Sequence, residues 1–467
     1  MHFYRSFLCF LFLTSLALIM GACRDGSAAD RIPRPDFVLG GIQVNEAEHA
    51  RWFENLKAQG MNSVQLTDYA MQGDWDTDHL WWDEDEPWVM KEMRGAGEQG
   101  LTTVFICRVA LDHAFERNAF LWHGMIRPKT DEMLASWFEQ YGRFVLRWAR
   151  IAEEEGVGLF VIGSEMNALA TTIPAVEPPP LEEYYLNAEK QEDRREQVLA
   201  QQELIAERHL TLPESEGYAS VEEYIDARIA IEQGWARSVT GSGATGRISL
   251  QEVNAHRARL DSHWRELIGK VREVYSGPIG YAANFDQYHL VGFWDALDVM
   301  GVNAYFELRS EVLDEESPET LYPLLEAGWQ DVLGRIATFR EEQRITDQPV
   351  IFTEMGYTYR AKSTLRPWAD EGFSLIYQPT TNPDGSEGEM REYVVVWRDQ
   401  PQRFWERALA VRALREAHQR LDDPFLGGIL YWKLSSHDYH YDDESFMVHV
   451  GPGSEDPVLG ELRSFVE

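Results

Sequence analysis

The chain is short of three features, and each shortage removes a class of protein. Cysteine is scarce, three in 467 residues. Cys9 and Cys23 lie at the N-terminus and Cys107 sits in an apolar run, so no disulfide framework is expected. Positive charge is also scarce: 43 Lys and Arg stand against 78 Asp and Glu, a formal net charge of −35. That balance argues against holding nucleic acid or an anionic surface by charge, and by itself it speaks only for solubility. No glycine-rich phosphate loop, HExxH helix or Ser-His-Asp arrangement is present, and no cofactor is expected. The apolar run Phe7–Met20 is too short for a membrane-spanning helix, which needs about 20 residues.

That run reads instead as the apolar core of an export signal over residues 1–22, with Arg5 ahead of it and small residues after it. Met20-Gly21-Ala22-Cys23 is similar to the bacterial lipoprotein processing signal, which would make Cys23 the lipidated first residue. The alternative is plain secretion with cleavage near Ala22 or Ala28–Ala29. The expectation is an exported lipoprotein at the periplasmic or cell-surface face of a membrane, anchored without a transmembrane helix. A polar linker, residues 24–36, follows.

The remaining residues, 37–467, alternate strand-like and helix-like stretches. The strands read as Phe37–Val44, Asn62–Asp68, Leu101–Leu111, Leu159–Ile162 running on to Glu165, Ile279–Asn284, Asp298–Phe306, Val350–Glu354 and Phe425–Leu434. The helices read as Glu46–Gln59, a segment ending at Gln99, Thr130–Glu155, Ile248–Tyr275, a short Val291–Leu297, Thr320–Arg344 and Pro401–Leu421. Eight strands with seven intervening helices fit a (β/α)8 TIM barrel, and a doubly wound sheet is the runner-up. Two connections are too long for plain turns. Residues 168–247, with Pro178-Pro179-Pro180 and helix-like runs at Leu181–Leu210 and Val221–Trp235, form a long helical insertion after strand four. Residues Phe373–Gln378 and Arg391–Trp397 flank Asn382-Pro383-Asp384-Gly385, a hairpin-like insertion after strand seven.

Two stretches share one grammar. VGLFVIGSEMN (157–167) and PVIFTEMGY (349–357) each run apolar, turn to small or polar residues, and present a glutamate where a strand should end. In a parallel barrel the strands' C-terminal ends are rigid and open, which is where catalytic groups sit. Glu165 and Glu354 are therefore the candidate catalytic pair. One protonated and one ionised carboxyl suffice to cleave a glycosidic bond without a metal. Tyr69, Arg108, Asn284, Asn303, Tyr305 and Trp432 sit at other strand ends as candidate substrate-binding residues. Tyr305 is placed to hold a carboxylate, and Trp432 to floor a sugar. Asp68, Asp112 and Asp286 are the rival acids. The cluster from His437 to Asp443 lacks paired ligand spacing elsewhere, so a polar loop is expected there rather than a metal site.

LTDY (66–69), VIGSE (161–165), GVNAYF (301–306), FTEMGY (352–357) and GGILYWKL (427–434) together resemble glycoside hydrolase family 113. The resemblance implies a retaining β-mannanase-like barrel with Glu165 as acid/base and Glu354 as nucleophile. It also implies that Tyr305 contacts the nucleophile and that Trp432 lies below the sugar. The wider clan carries Asn before the acid/base, where this chain has Ser164. The expected partner is an oligo- or polysaccharide of β-linked hexoses. The competing expectation is a surface lipoprotein that binds carbohydrate without cutting it.

Overall fold

The computed structural model describes residues 34–43, 46–83, 87–118, 120–177, 192, 195, 221–240, 249–365, 367, 401–441 and 444–467, and the backbone of 373–381 and 387–396. The export signal, Cys23, the triproline, the Leu181–Leu210 run, the Asn382–Gly385 turn, Asp442 and Asp443 lie outside the described residues.

Eight parallel strands form the body: β1 (Val38–Gln43), β2 (Ser63–Gln72), β3 (Thr102–Leu111), β4 (Leu159–Ser164), β5 (Ile279–Asn284), β6 (Val299–Asn303), β7 (Val350–Met355) and β8 (Leu426–Ser435). Each pairs in parallel with the next from β2 to β8, and β8 pairs back onto β1. Between β1 and β2 the sheet closes through Asn62. Its N–H donates to the Leu39 carbonyl (3.0 Å), and its side-chain oxygen accepts from Leu39 N–H (2.9 Å). Gly40 lies so close to this seam that a Cβ would stand 2.1 Å from the Ser63 carbonyl oxygen. The result is a curled parallel sheet of (β/α)8 type.

The strands are apolar on both faces because both faces are covered. Val38, Val104, Ile106, Leu159, Val161, Ala282, Val299, Ile351 and Leu430 fill the barrel interior, while a larger cluster packs the sheet against its helices. Those helices are α1 (His49–Ala58), α2 (Pro87–Glu98), α3 (Asp131–Glu154), α4 (Val221–Thr240), α5 (Leu250–Arg272), α6 (Pro318–Gln343), α7 (Phe404–Gln419) and α8 (Val458–Arg463). Thr130 caps α3 through the Met133 N–H, and Ser249 caps α5 in a reciprocal box with Glu252.

Two expectations are corrected. The Val291–Leu297 helix does not form; 3-10 turns at Tyr288–Leu290 and Trp294–Ala296 take its place. The backbone groups that a helix would use are taken by the loop after β4. Gly292 N–H donates to Thr172 Oγ1 (2.6 Å), and the Leu290 carbonyl accepts from Thr172 and Ile173 (2.9 and 3.0 Å). Strand two runs four residues beyond Asp68 because it stays paired with β3 as far as Gln72 and Leu111, and Met71 and Gln72 also pair antiparallel with Leu80–Trp81. After β7, the backbones of Phe373–Thr381 and Glu387–Val396 pair antiparallel.

Candidate active site

Strand register assembles the site. Tyr69 is level with Arg108 across β2 and β3, Asn284 with Asn303 across β5 and β6, and Asn303 with Glu354 across β6 and β7. The C-terminal mouth therefore collects these residues in one layer.

Glu354 belongs to β7 itself and is buried. The Arg108 guanidinium donates to Glu354 Oε1, and the Tyr305 hydroxyl donates to Oε2 (2.8 Å). The Gln65 amide, turned so that its nitrogen faces the Thr353 carbonyl (3.0 Å), accepts from Arg108 (3.1 Å). Burial opposes the charge of Arg108, but Glu354, Tyr69 and Glu165 more than offset it, so the guanidinium stays protonated.

Glu165 stands one residue past β4 with φ at 53°, the left-handed region that side chains other than glycine seldom adopt. Its N–H donates to the Ala282 carbonyl (2.9 Å), and the next N–H, of Met166, donates to the Tyr281 hydroxyl (3.0 Å). Strand β5 thus pins the bend on both sides. A conformation of this kind costs about 1–3 kcal/mol and persists where the surroundings enforce it, often at functional sites. The carboxylate lies 3.3 Å from His123 Nε2, on the 3-10 turn His123–Met125 of the loop after β3. Asn303 Nδ2 reaches Ser164 Oγ (3.3 Å), and Thr353 Oγ1 donates to Asn303 Oδ1 (2.8 Å), so one amide ties the ends of β4 and β7 together.

Burial works against charge on both glutamates. At Glu165 it is outweighed by His123, Asn303 and the Arg108 charge, and the pKa falls below the ordinary carboxylate value. At Glu354 burial and the charge of Glu165 outweigh Arg108 and Tyr305, and the pKa rises. The pair titrates as one unit, and its protons leave in two separated steps. An arrangement of this kind can present one acid and one anion to the same bond.

Trp432 is half-buried on β8, with the Arg108 guanidinium 5.5 Å from its ring centre. Tyr69 is exposed at the mouth, as are Trp122 and Tyr439. Asn284 turns to its own loop, where its side-chain oxygen accepts from Phe285 N–H (2.9 Å). Of the rival acids, Asp68 accepts from Trp148 Nε1 (2.7 Å) in the helix layer, and Asp112 caps a turn through Ala114 N–H (2.8 Å). Asp286 lies within reach of the Glu165 charge, and burial followed by that charge raises its pKa. Asp438–Tyr441 forms a 3-10 turn, and among the described residues no three His, Cys, Asp or Glu side chains converge as a metal site.

Sequence reasoning did not single out His123 or Gln65. His123 is carried by a loop, where no periodicity marks it. Gln65 lies within the strand-two run; only the barrel's register shows that it faces Arg108.

The family model of Glycoside Hydrolase Family 113 matches residues 40–172 and 248–378. No curated protein matches the chain. A solved GH113 β-1,4-mannanase complex is similar over 93% of this chain and 98% of its own, with a TM-score of 0.53 and 16% identity. The GH113 β-mannanase AaManA from Alicyclobacillus acidocaldarius, solved with ManMIm, is similar over 94% and 100%, with a TM-score of 0.54 and 16% identity. At that identity the two structures speak for the fold.

Proposed function

The chain belongs to glycoside hydrolase family 113, and on that premise we propose that it hydrolyses β-linked hexose glycans, β-mannan first among them, with retention of configuration. Membership makes it a glycoside hydrolase; the substrate and the residue roles are our reading. The observation that carries the roles is the unequal support of the two carboxylates, a strand-borne Glu354 clamped by Arg108 and Tyr305 against a loop-contacted Glu165.

In this reading Glu354 attacks the anomeric carbon as the glycosidic bond breaks, and the leaving oxygen takes a proton from Glu165. A water then gives its proton to Glu165 and attacks the same carbon, releasing Glu354. In the free site His123 draws Glu165 below its ordinary pKa, so the acid role requires the proton of the pair to reside on Glu165 once substrate is bound. A glycosidic oxygen that displaces the His123 contact favours this, and positive charge developing at the anomeric carbon favours an ionised Glu354. Arg108 and Tyr305 hold that anion in place. Trp432 supplies a flat aromatic face for a pyranose ring.

Export through residues 1–22 and lipidation at Cys23 are proposed on the N-terminal pattern alone. Membrane association of the full chain that is lost on Cys23→Ser supports the anchor.

The decisive experiment measures reducing-sugar release by the chain from Arg24 onward on β-mannan, glucomannan, xylan and β-glucan, with Glu354→Gln alongside. Release from mannan that vanishes in the variant supports the proposal. Release from another polymer alone moves the substrate. No release from any, with binding retained, favours the carbohydrate-binding reading.

A further inference from the structure

Behind the His123 turn, the N-terminal ends of α3 and α5 and the helix α4 enclose a cleft of about 800 Å³. Arg117, Arg127, Lys129, Arg237 and Arg259 line it together with His256, a local concentration of cations on a chain with a net charge of −35. Two of these cations are held by carboxylates. Arg117 is paired with Asp76 (2.6 Å) and Arg259 with Asp131 (3.0 Å). Glu252, the other acid on the lining, accepts from the Ser249 N–H and hydroxyl (2.9 and 2.6 Å) at the α5 cap.

What is left over is positive. Among the described residues Arg237 bonds a neutral acceptor, Gln233 Oε1 (2.9 Å), and no carboxylate. The Arg127 guanidinium has no hydrogen bond and no ion pair among the described residues, and burial without a compensating carboxylate pushes its pKa down to about 10. His256 Nε2 is buried with no partner. Burial and the charges of Arg127, Arg259 and Arg257 push His256 down to about 3, which keeps the ring neutral. Arg127 is half-buried, so its guanidinium stays open to the cleft, and a cation partly withdrawn from water without a counter-charge is costly to leave unmet. An oxyanion seated in the cleft would meet the Arg127 charge. Trp75 and Trp235 give the cleft an aromatic wall, and its volume is that of small-molecule sites, roughly 300–1,000 Å³.

We propose that this cleft binds a single oxyanion group carried by a sugar-sized molecule, with the Arg127 guanidinium as its principal ligand. The charge of the whole chain repels a polyanion, which favours one isolated anionic group. With the hydrolase reading, that group is the carboxylate of an acidic residue on the glycan; this identity rests on the proposed function, whereas binding itself does not.

The test is calorimetric titration of the full chain with a methyl hexuronoside, the matching neutral methyl hexoside and inorganic phosphate. The expected result is binding of the uronoside, none of the neutral sugar, and at least a tenfold loss in Arg127→Gln. Arg237→Gln, on an exposed helix position that leaves folding undisturbed, is expected to weaken binding about threefold. Phosphate binding more tightly than the uronoside, with the same response to Arg127→Gln, supports the site and assigns it to free phosphate. Absence of binding by both anions, or unchanged affinity in both variants, overturns it. No arm measures hydrolysis, so an inactive enzyme would not decide the outcome.

Discussion

The ends of β4 and β7 are written in nearly the same residues and built differently. Glu354 sits within its strand, and two buried side chains from β3 and the β6 end donate to it. Glu165 sits past its strand on a left-handed bend, and its ionisable partner is His123 on a loop. Its side chain is 14% exposed against 5% for Glu354. The difference teaches what each carboxylate is suited to. A carboxylate fixed by a guanidinium and a phenol is held in place to form and break a bond to carbon. A carboxylate at the open side, with one exchangeable partner, is suited to pass a proton to and from solvent-borne groups.

The largest break in the comparison is at β7. Glu354→Ala is expected to lower kcat/KM on the order of 10⁴-fold or more, with azide restoring turnover and giving product of inverted configuration. If Glu165→Ala gives that inverted product instead, the roles are reversed. For Glu165→Ala the expected loss is about 10²–10⁴-fold on substrates with poor leaving groups, and much less on an activated aryl glycoside that needs no proton. An equal loss on both substrates would remove the acid role.

A third buried carboxyl sharpens what burial alone does. Glu92 has no guanidinium beside it among the described residues. Gln43 donates to it, His49 lies 3.6 Å away, and burial pushes its pKa from 4.5 up to about 7. The folded state therefore holds a proton that the unfolded chain releases. Stability is full below about pH 4.5 and falls as pH rises to about 7, by on the order of 3 kcal/mol if the whole shift is expressed. Glu92→Gln is expected to flatten denaturant-derived stability across that window. A slope that survives the substitution would locate the effect elsewhere.

His123→Ala tests the looser side of the pair with a smaller effect. An acid must be protonated to act, and His123 lowers Glu165, so its removal should move the alkaline limb of the kcat/KM profile to higher pH. The expected loss at the optimum is about tenfold. The smallest effect is expected one step further out. Trp235 of α4 donates to the Met125 carbonyl (2.8 Å), on the turn that carries His123. Trp235→Phe should leave kcat/KM within about fivefold and shift the alkaline limb in the same direction by less, since one hydrogen bond is worth about 1 kcal/mol. No movement of the limb would separate the insertion from the site.

Much of this was legible in the residues. Leu159–Ile162 and Val350–Phe352 are apolar on both faces, which in a soluble chain marks strands covered on both sides, and the first polar group after such a run must lie near the strand's end. Tyr305 and Asn303 followed from the same rule. Asn284 did not behave alike, because an Asn at a strand end can satisfy its own loop, and here it bonds Phe285. The Val291–Leu297 helix failed because its backbone partners came from the loop after β4, more than a hundred residues earlier.

The amino-acid sequence by itself determined the alternation of strand and helix, the placing of two glutamates at strand ends, and the excess of negative charge. These depend on local pattern and composition, which need no knowledge of neighbours. Only the tertiary structure decided that Arg108 and Tyr305 clamp one glutamate while His123 meets the other. It also decided that Arg127 stands half-buried at a cleft without a counter-charge among the described residues. Pairing of that kind depends on barrel register and on which loops meet at the mouth, distances set by the closed sheet between residues far apart in the chain.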